Sequence, residues 1–351
     1  MTNSSPLIPS VGILADDLTS AADGGAPFGE KGLEIRIIRK GIRQETGSAE
    51  VVSIDCATRS LDEAAAIKAT TLATRSIAGA RVLYKTIDST LRGHIRAEIG
   101  AAFLASGRNR LVVAPAFPDA GRITRNGVQF VHGLPVCQSN YAQDPVHPIQ
   151  SSNISDCIPS DILNVIILDA ETQQDLNDQV TALGEIETTL WVGSPGMAKA
   201  LASQLPHKLG AERQAPVSKS VLVVVGSANP MSTLQARRLR DDPRAVCLSV
   251  PNERAVDPRR VVSDLISKAI QQCSQCDTVI ATGGDTMEAF LDRLDVYEFV
   301  LAGEIEPGFP LATARLSNGA PITLAMKAGG FGDENTLRRA VDHLCSRSSS
   351  N

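Results

Sequence analysis

Aromatic residues are scarce in this chain, with 8 Phe, 3 Tyr and 1 Trp among 351 residues. Its core must therefore be mostly aliphatic, and a platform of rings for stacking bases or sugars is disfavoured. Surplus positive charge is missing too. Lys+Arg is 34 against 39 for Asp+Glu, a formal net charge of -5. That argues against a nucleic-acid binder, which needs excess cations to neutralise phosphates. The most apolar run, Val221–Val225, stops at Gly226, far short of the roughly 20 residues of a membrane span. Met1–Pro9 lacks the basic and apolar regions of a secretory leader, so a cytoplasmic location is expected. The seven cysteines are odd in number and scattered, as reduced thiols are. Cys273 and Cys276 have redox spacing but no matching pair, and two buried thiols are the expected outcome.

Signature strings are absent as well. Without G-x-x-x-x-G-K-[ST] the chain is not a P-loop NTPase, and without G-x-G-x-x-G a nicotinamide-dependent oxidoreductase is disfavoured. There is no G-x-S-x-G elbow. His94, His132, His147, His207 and His343 do not fall at metal-ligand spacing, and no dedicated metal site is expected.

What is present is an alternation. Short β-rich runs occur at Val11–Leu14, Val51–Ile54, Val82–Tyr84, Leu111–Ala114, Val165–Leu168, Leu190–Gly193, Val221–Val225, Val279–Ala281 and Ile322–Ala325. Helical patterns lie between many of them. Ser60–Glu63 reads as a capping box for a helix through Ile77. Val261, Leu265, Ile266 and Ala269 share one helical face, as do Leu337, Ala340, Val341 and Leu344. The predicted fold class is α/β: two domains, each built on a mostly parallel sheet flanked by helices. The boundary falls in a Pro- and Gly-bearing stretch without periodicity, giving domains 1–205 and 220–351 with a linker at 206–219. Residues 121–160 form a second irregular stretch, of the kind that is often functional. The tail 346–351 reads as frayed.

Ligands in open α/β sheets sit outside the carboxyl ends of strands, so the strand exits carry the functional reading. The first exit brings Asp16 and Asp17, able to bind hydroxyls, position Mg²⁺ or take a proton. A helix cap would explain one of these carboxylates but not both. The second, at residues 84–93, crowds Lys85, Thr86, Ile87, Asp88, Ser89 and Arg92 together. Lys and Arg suit a small acid, and the plain alternative is an Asp88–Arg92 i,i+4 pair. Arg59, after the strand at 51–54, could add another carboxylate contact or lie on the surface. Asp119 and Arg122 follow a fourth strand, where a structural turn is equally expected. In the C-terminal part three strands run into glycine-bearing turns: Gly226–Pro230, Thr282–Thr286 and Met326–Gly332. Glycine permits close backbone approach, and free N–H groups at a helix start favour phosphate, so these turns suggest a nucleotide cradle.

The strings Ala15–Thr19, Lys85–Gly93, Ala114–Pro118, Gly226–Ser227, Ala281–Thr286 and Lys327–Gly332 resemble, in order, those of the four-carbon acid sugar kinase family. The resemblance spans about residues 11–332 and is most specific at Lys85–Gly93. It implies a sugar-binding N-terminal domain, a nucleotide-binding C-terminal domain, and ATP-dependent phosphorylation of acids such as threonate, erythronate, 3-oxo-tetronate or the branched 3-oxo-isoapionate. Asp16, Arg59 and the turn of Lys85, Thr86, Ile87, Asp88 and Ser89 are then the acid-sugar site, to which the reading of the strand exits adds Asp17 and Arg92, with Asp16 or Asp88 as catalytic base. Ser227, Asn229, Gly283, Gly284, Asp285, Thr286, Gly329 and Gly332 are the ATP site, with Mg²⁺ arriving as Mg–ATP. Closure at the linker would exclude water. Ser20 stands where the family usually has Gly, Asn229 where it usually has a second Ser, and the chain is shorter than many members. A non-catalytic sugar-acid or nucleotide sensor is the alternative reading. Small-molecule partners are expected, with no nucleic acid or membrane, and a homo-oligomer is possible.

Overall fold

The computed structural model describes residues 9–41, 49–144, 147–208, 216–227, 229–250, 258–306 and 308–346. The chain divides into two compact units, Met1–Ala211 and Glu212–Asn351. The predicted linker, 206–219, spans this division, and its residues 209–215 lie outside the described residues, as do 347–351 of the predicted tail.

The first unit runs β1 (Val11–Ala15), α1 (Leu18–Gly29), β2 (Ile35–Arg39), β3 (Val51–Asp55), α2 (Glu63–Ile77), β4 (Val82–Thr86), α3 (Ile95–Ser106) and β5 (Arg110–Ala114). It continues with β6 (Arg122–Arg125), β7 (Val128–Val131), β8 (Leu134–Pro135), β9 (Val165–Ile167), α4 (Gln173–Leu183), β10 (Thr189–Gly193) and α5 (Pro195–Ser203). Seven strands pair in parallel in the order β2-β3-β1-β4-β10-β5-β9. β1, β3, β4, β5 and β10 are buried along their whole length. That is why they read as continuous apolar runs rather than alternating ones. Trp191 and Tyr84 are fully buried, as are most Val, Ile and Leu of these strands, each such aliphatic chain contributing about 1.5–3 kcal/mol on burial.

The second unit runs β11 (Val221–Val225), α6 (Pro230–Leu239), β12 (Ala245–Ser249), α7 (Pro258–Cys273), β13 (Thr278–Thr282), α8 (Gly284–Arg293), β14 (Glu298–Glu304), β15 (Pro310–Arg315), β16 (Pro321–Lys327) and α9 (Thr336–Cys345). Its strand order is β12-β11-β13-β16-β15-β14; the first four are parallel and the last two antiparallel. Leu337, Ala340, Val341 and Leu344 of α9 are buried, so the predicted apolar face packs into the core.

All nine predicted strands are present, with ends shifted by at most two residues. β2, β12, β14 and β15 carry no expectation from the sequence. β2 reads IRIIR, and its arginines mask a strand that is buried throughout. The stretch 121–160 is not irregular: it holds the antiparallel sheet β6-β7-β8 and short 3₁₀ turns. The capping box is also corrected. α2 is capped by Asp62, whose carboxylate accepts the Ala65 N–H at 2.9 Å, not by Ser60.

Candidate active site

The chain order fixes where a crevice must open. From β1 the first unit continues through β2 and β3 on one side, then crosses to β4 on the other. A parallel sheet splays at such a switch point, and ligands enter at its carboxyl end. Asp16 and Asp17 leave β1 there, residues 87–92 leave β4, and Arg59 arrives from β3.

Asp17 caps α1, accepting the Ser20 N–H at 2.7 Å. Capping accounts for Asp17 and leaves Asp16 to be explained. Asp16 is 4% exposed. Its Oδ2 accepts Arg59 Nε at 2.9 Å and lies 2.9 Å from Arg59 Nη2. Arg59 Nη1 pairs with Asp17, and Nη2 also reaches Ser20 Oγ at 3.4 Å. Asp16 Oδ1 is buried without a hydrogen-bond partner among the described residues. Burial opposes ionisation of Asp16, but Arg59 and Lys85 outweigh it and hold the carboxyl below its usual range. Asp17 shifts upward, raised by burial and by the Asp16 charge in spite of Arg59. Two adjacent carboxyls are thus pushed apart, as in sites that divide acid and base roles.

The turn after β3 is laced to β1: Thr58 and Arg59 donate their N–H groups to the Asp16 carbonyl at 2.9 and 3.2 Å. Ala57 takes a left-handed conformation, φ 51°, to make that turn. Such strain costs about 1–3 kcal/mol and clusters at functional sites.

Lys85 does not stand free to grip an acid. Its Nζ lies 2.8 Å from Glu98 Oε2, with the two side chains 1% and 2% exposed, and it donates to the Thr86 carbonyl at 2.8 Å. Ile87 is corrected outright as a binding residue: its side chain belongs to the apolar core, and its N–H bonds the Gly193 carbonyl. Thr86 is buried on β4. Ser89 is buried too, its carbonyl held by Gln129 Nε2 at 2.8 Å. Asp88 accepts from Thr90 N, Thr90 Oγ1 and Arg92 Nε at 3.0, 3.0 and 2.5 Å. The Asp88–Arg92 pair forms in a turn rather than a helix, since Leu91 (φ 64°) and Gly93 (φ 103°) break the geometry and α3 begins only at Ile95. A Cβ on Gly93 would sit 3.2 Å from Asp16 Oδ2, so the two turns touch. Arg92 also lies 3.5 Å from Asp144 Oδ2 and over the Tyr141 ring at 5.2 Å. Asp119 is paired at the surface with Lys199, as a structural turn would have it.

The second unit repeats the logic. β11 leads to β12 on one side and the chain then crosses to β13, with β16 next. Val225, Thr282 and Lys327 stand in register, so the three glycine turns leave the sheet side by side. The glycines first serve one another. A Cβ on Gly226 would collide with Thr286, and one on Gly329 with Ser227. Gly283 has φ 93° and precedes α8, whose N-terminus no side chain caps. Its first N–H groups and the buried Thr282 Oγ1, which has no hydrogen-bond partner among the described residues, fit a phosphate-bearing ligand. Gly284 and exposed Asp285 open α8, and Thr286 is buried beneath it. Asn229 caps α6 through Met231 N at 2.9 Å, and Ser227 Oγ accepts Asn229 N–H at 3.2 Å. Lys327 is 2% exposed and donates to the carbonyls of Ala328, Gly329 and Phe331 at 2.8, 3.2 and 3.1 Å. Burial lowers its pKa to about 8. Gly332, φ 78°, closes the turn against Thr336.

Glu98, Tyr141, Asp144 and Gln129 carry no functional expectation from the sequence. Glu98 had a signal: it interrupts the apolar stripe Ile95, Ile99, Ala102 of α3, which marks a buried charge needing a partner. Among the described residues, no group of three or more His, Cys, Asp or Glu is placed to hold a metal, and no helix is long and apolar enough to cross a membrane. The cysteines are free thiols; Cys273 is buried and Cys276 half-buried.

Comparison with known proteins matches residues 11–163 to a sugar-binding N-terminal domain and residues 252–337 to a nucleotide-binding C-terminal domain. A D-threonate kinase of Bordetella bronchiseptica is 30% identical, over 97% of this chain and 98% of that one. A D-erythronate kinase of Heliobacterium modesticaldum is 26% identical, over 84% and 74%. A crystal structure from Salmonella typhimurium LT2, described as a putative tRNA synthase, shares the fold with a TM-score of 0.77 at 22% identity, covering 94% of this chain and 98% of that one.

Proposed function

This chain belongs to the four-carbon acid sugar kinase family, and from that premise we propose that it is an ATP-dependent kinase phosphorylating a terminal hydroxyl of a roughly four-carbon acid sugar. One observation carries the reading over a non-catalytic sensor. Asp16 is a buried carboxylate kept ionised by Arg59 and Lys85, with Oδ1 left unpartnered. That arrangement suits phosphoryl transfer, which needs a carboxylate to orient the acceptor hydroxyl and take its proton.

Mg–ATP, when bound, supplies the phosphoryl group and the charge that neutralises it. The residues of the second unit fit it: the uncapped start of α8 and the Ser227 and Gly329 turns would hold its phosphates, and Lys327 fixes the Lys327–Gly332 turn by tying down three carbonyls. In the first unit Asp16 receives the hydroxyl proton and Arg59 fixes its orientation. Asp88, committed to Thr90 and Arg92, shapes the turn, and this supports Asp16 as the base.

The test is ADP release with Mg–ATP over D- and L-threonate, D- and L-erythronate, the 3-oxo-tetronates and 3-oxo-isoapionate. Turnover that depends on one of these acids is the expected result. A folded protein that binds ATP yet turns over with none would favour the sensor.

A further inference from the structure

Three cations line the proposed acid site, and the structure distributes their hydrogen bonds unequally. Lys85 is buried against Glu98 and the Thr86 carbonyl. Arg59 spends Nε, Nη1 and Nη2 on Asp16, Asp17 and Ser20. Arg92 differs. Its Nε is held by Asp88 and Thr90, its Nη1 faces Asp144 at 3.5 Å, and its side chain is 31% exposed. The Tyr141 ring backs the guanidinium at 5.2 Å. Asp144 is itself fixed, its Oδ1 accepting the His147 N–H at 2.8 Å, while His147 Nε2 lies 2.8 Å from the Arg59 carbonyl. An internal carboxylate, Asp144, thus faces the guanidinium of Arg92, and the residue it accepts from, His147, reaches the Arg59 turn.

Building on the reading as an acid sugar kinase, we propose that Arg92 receives the carboxylate of the acid and that Asp144 is a built-in competitor for that place, displaced when the acid binds. The Nη1–Asp144 separation, 3.5 Å, is longer than that of a hydrogen-bonded ion pair. A free carboxylate meeting guanidinium N–H groups bidentately makes shorter, stronger bonds. Tyr141 keeps the guanidinium plane oriented while the anions exchange. The competitor sets selectivity: a ligand without a carboxylate cannot displace Asp144, so neutral polyols of the same length are rejected.

The test compares the acid substrate with threitol and erythritol, polyols of the same length without the carboxylate, in wild type, Asp144→Asn and Arg92→Gln. Asn keeps the oxygen that accepts the His147 N–H and removes the charge. Asp144→Asn should lower KM for the acid about fivefold, the scale of a part-exposed ion pair, with kcat unchanged. Arg92→Gln should raise KM for the acid and collapse the acid-over-polyol ratio of kcat/KM at least tenfold. An unchanged or raised KM for the acid in Asp144→Asn, or a ratio preserved in Arg92→Gln, overturns the proposal while leaving the kinase reading intact. Wild type that turns over no acid overturns both. Should Asp144→Asn not fold, Arg92→Gln and Tyr141→Leu decide alone, the latter being expected to raise KM for the acid and not for ATP.

Discussion

Lys85 on β4 and Glu98 on α3 meet at 2.8 Å, each almost entirely removed from water. The pair holds the helix to the strand, and Lys85 adds a positive charge to the surroundings of Asp16. Breaking it by Glu98→Ala would strand a buried ammonium, and the expected loss is about 3–5 kcal/mol in urea unfolding. Replacing both partners, Lys85→Met with Glu98→Met, should recover most of the stability but not turnover. A double variant as unstable as the single one would show that packing, not charge, dominates.

Asp16 and Asp17 should separate cleanly under mutation. Asp16→Asn should fold and lose about 10²–10⁴-fold in kcat, the usual contribution of a positioned base. Near-normal turnover in that variant would remove Asp16 from the role. Its folded pKa lies below its ordinary value of 3.8, so its contribution to stability is present above 3.8 and is lost only as pH falls through the lower, folded value. The acid limb of kcat/KM should therefore lie below the ordinary carboxylate range.

Asp17 has the opposite sign. Its folded pKa is raised, so the folded state holds the proton more tightly and stability falls as pH rises from 3.8 through the folded value. Asp17→Asn removes that slope and keeps the cap on α1, and its Tm at pH 7 should equal or exceed that of wild type. Asp17→Ala loses the cap as well and should cost about 1 kcal/mol. Thermal melts of the three proteins from pH 3 to 8 decide; a Tm several degrees lower in Asp17→Asn would mean the Arg59 pair outweighs the repulsion.

In the second unit Gly226 has no room for a methyl group because Thr286 lies against it. Gly226→Ala should weaken ATP binding at least tenfold by calorimetric titration, as the β11 and β13 turns are forced apart. Adding Thr286→Ala removes the hydroxyl and one methyl from the clash and should restore part of the affinity. Additive losses in the double variant would show that the two turns are not coupled.

Lys327 supplies a pH dependence of its own. Its folded pKa, about 8, is below its ordinary value of 10.5. Burying the charge therefore costs stability below pH 8, and that cost is relieved as pH rises from about 8 towards 10.5. Deprotonation also leaves three carbonyls sharing fewer donors. KM for ATP should rise above pH 8 while KM for the acid does not. Lys327→Arg, which does not titrate in this range, should abolish the rise if its longer side chain is accommodated, a point its melting temperature checks.

The sequence by itself determined the strands that are buried on both faces, because a continuous apolar run ending in Gly or Asp has no other stable use. The strings it singled out, at Asp16, Lys85 and Gly283, lie at the ends of β1, β4 and β13. β2 escaped it because arginines interrupt the run, and β14 and β15 because Gly303, Glu304, Thr313 and Arg315 leave only short apolar stretches. Only the tertiary structure decided what each charged group does. Local spacing shows that Lys85, Arg59 and Arg92 are near one another. It cannot show that Glu98, thirteen residues on, neutralises the first, that the two aspartates occupy the second, or that Asp144 faces the third. Those pairings follow from burial, which favours an anion beside a cation drawn out of water, and which anion these three find depends on how the strands and helices pack.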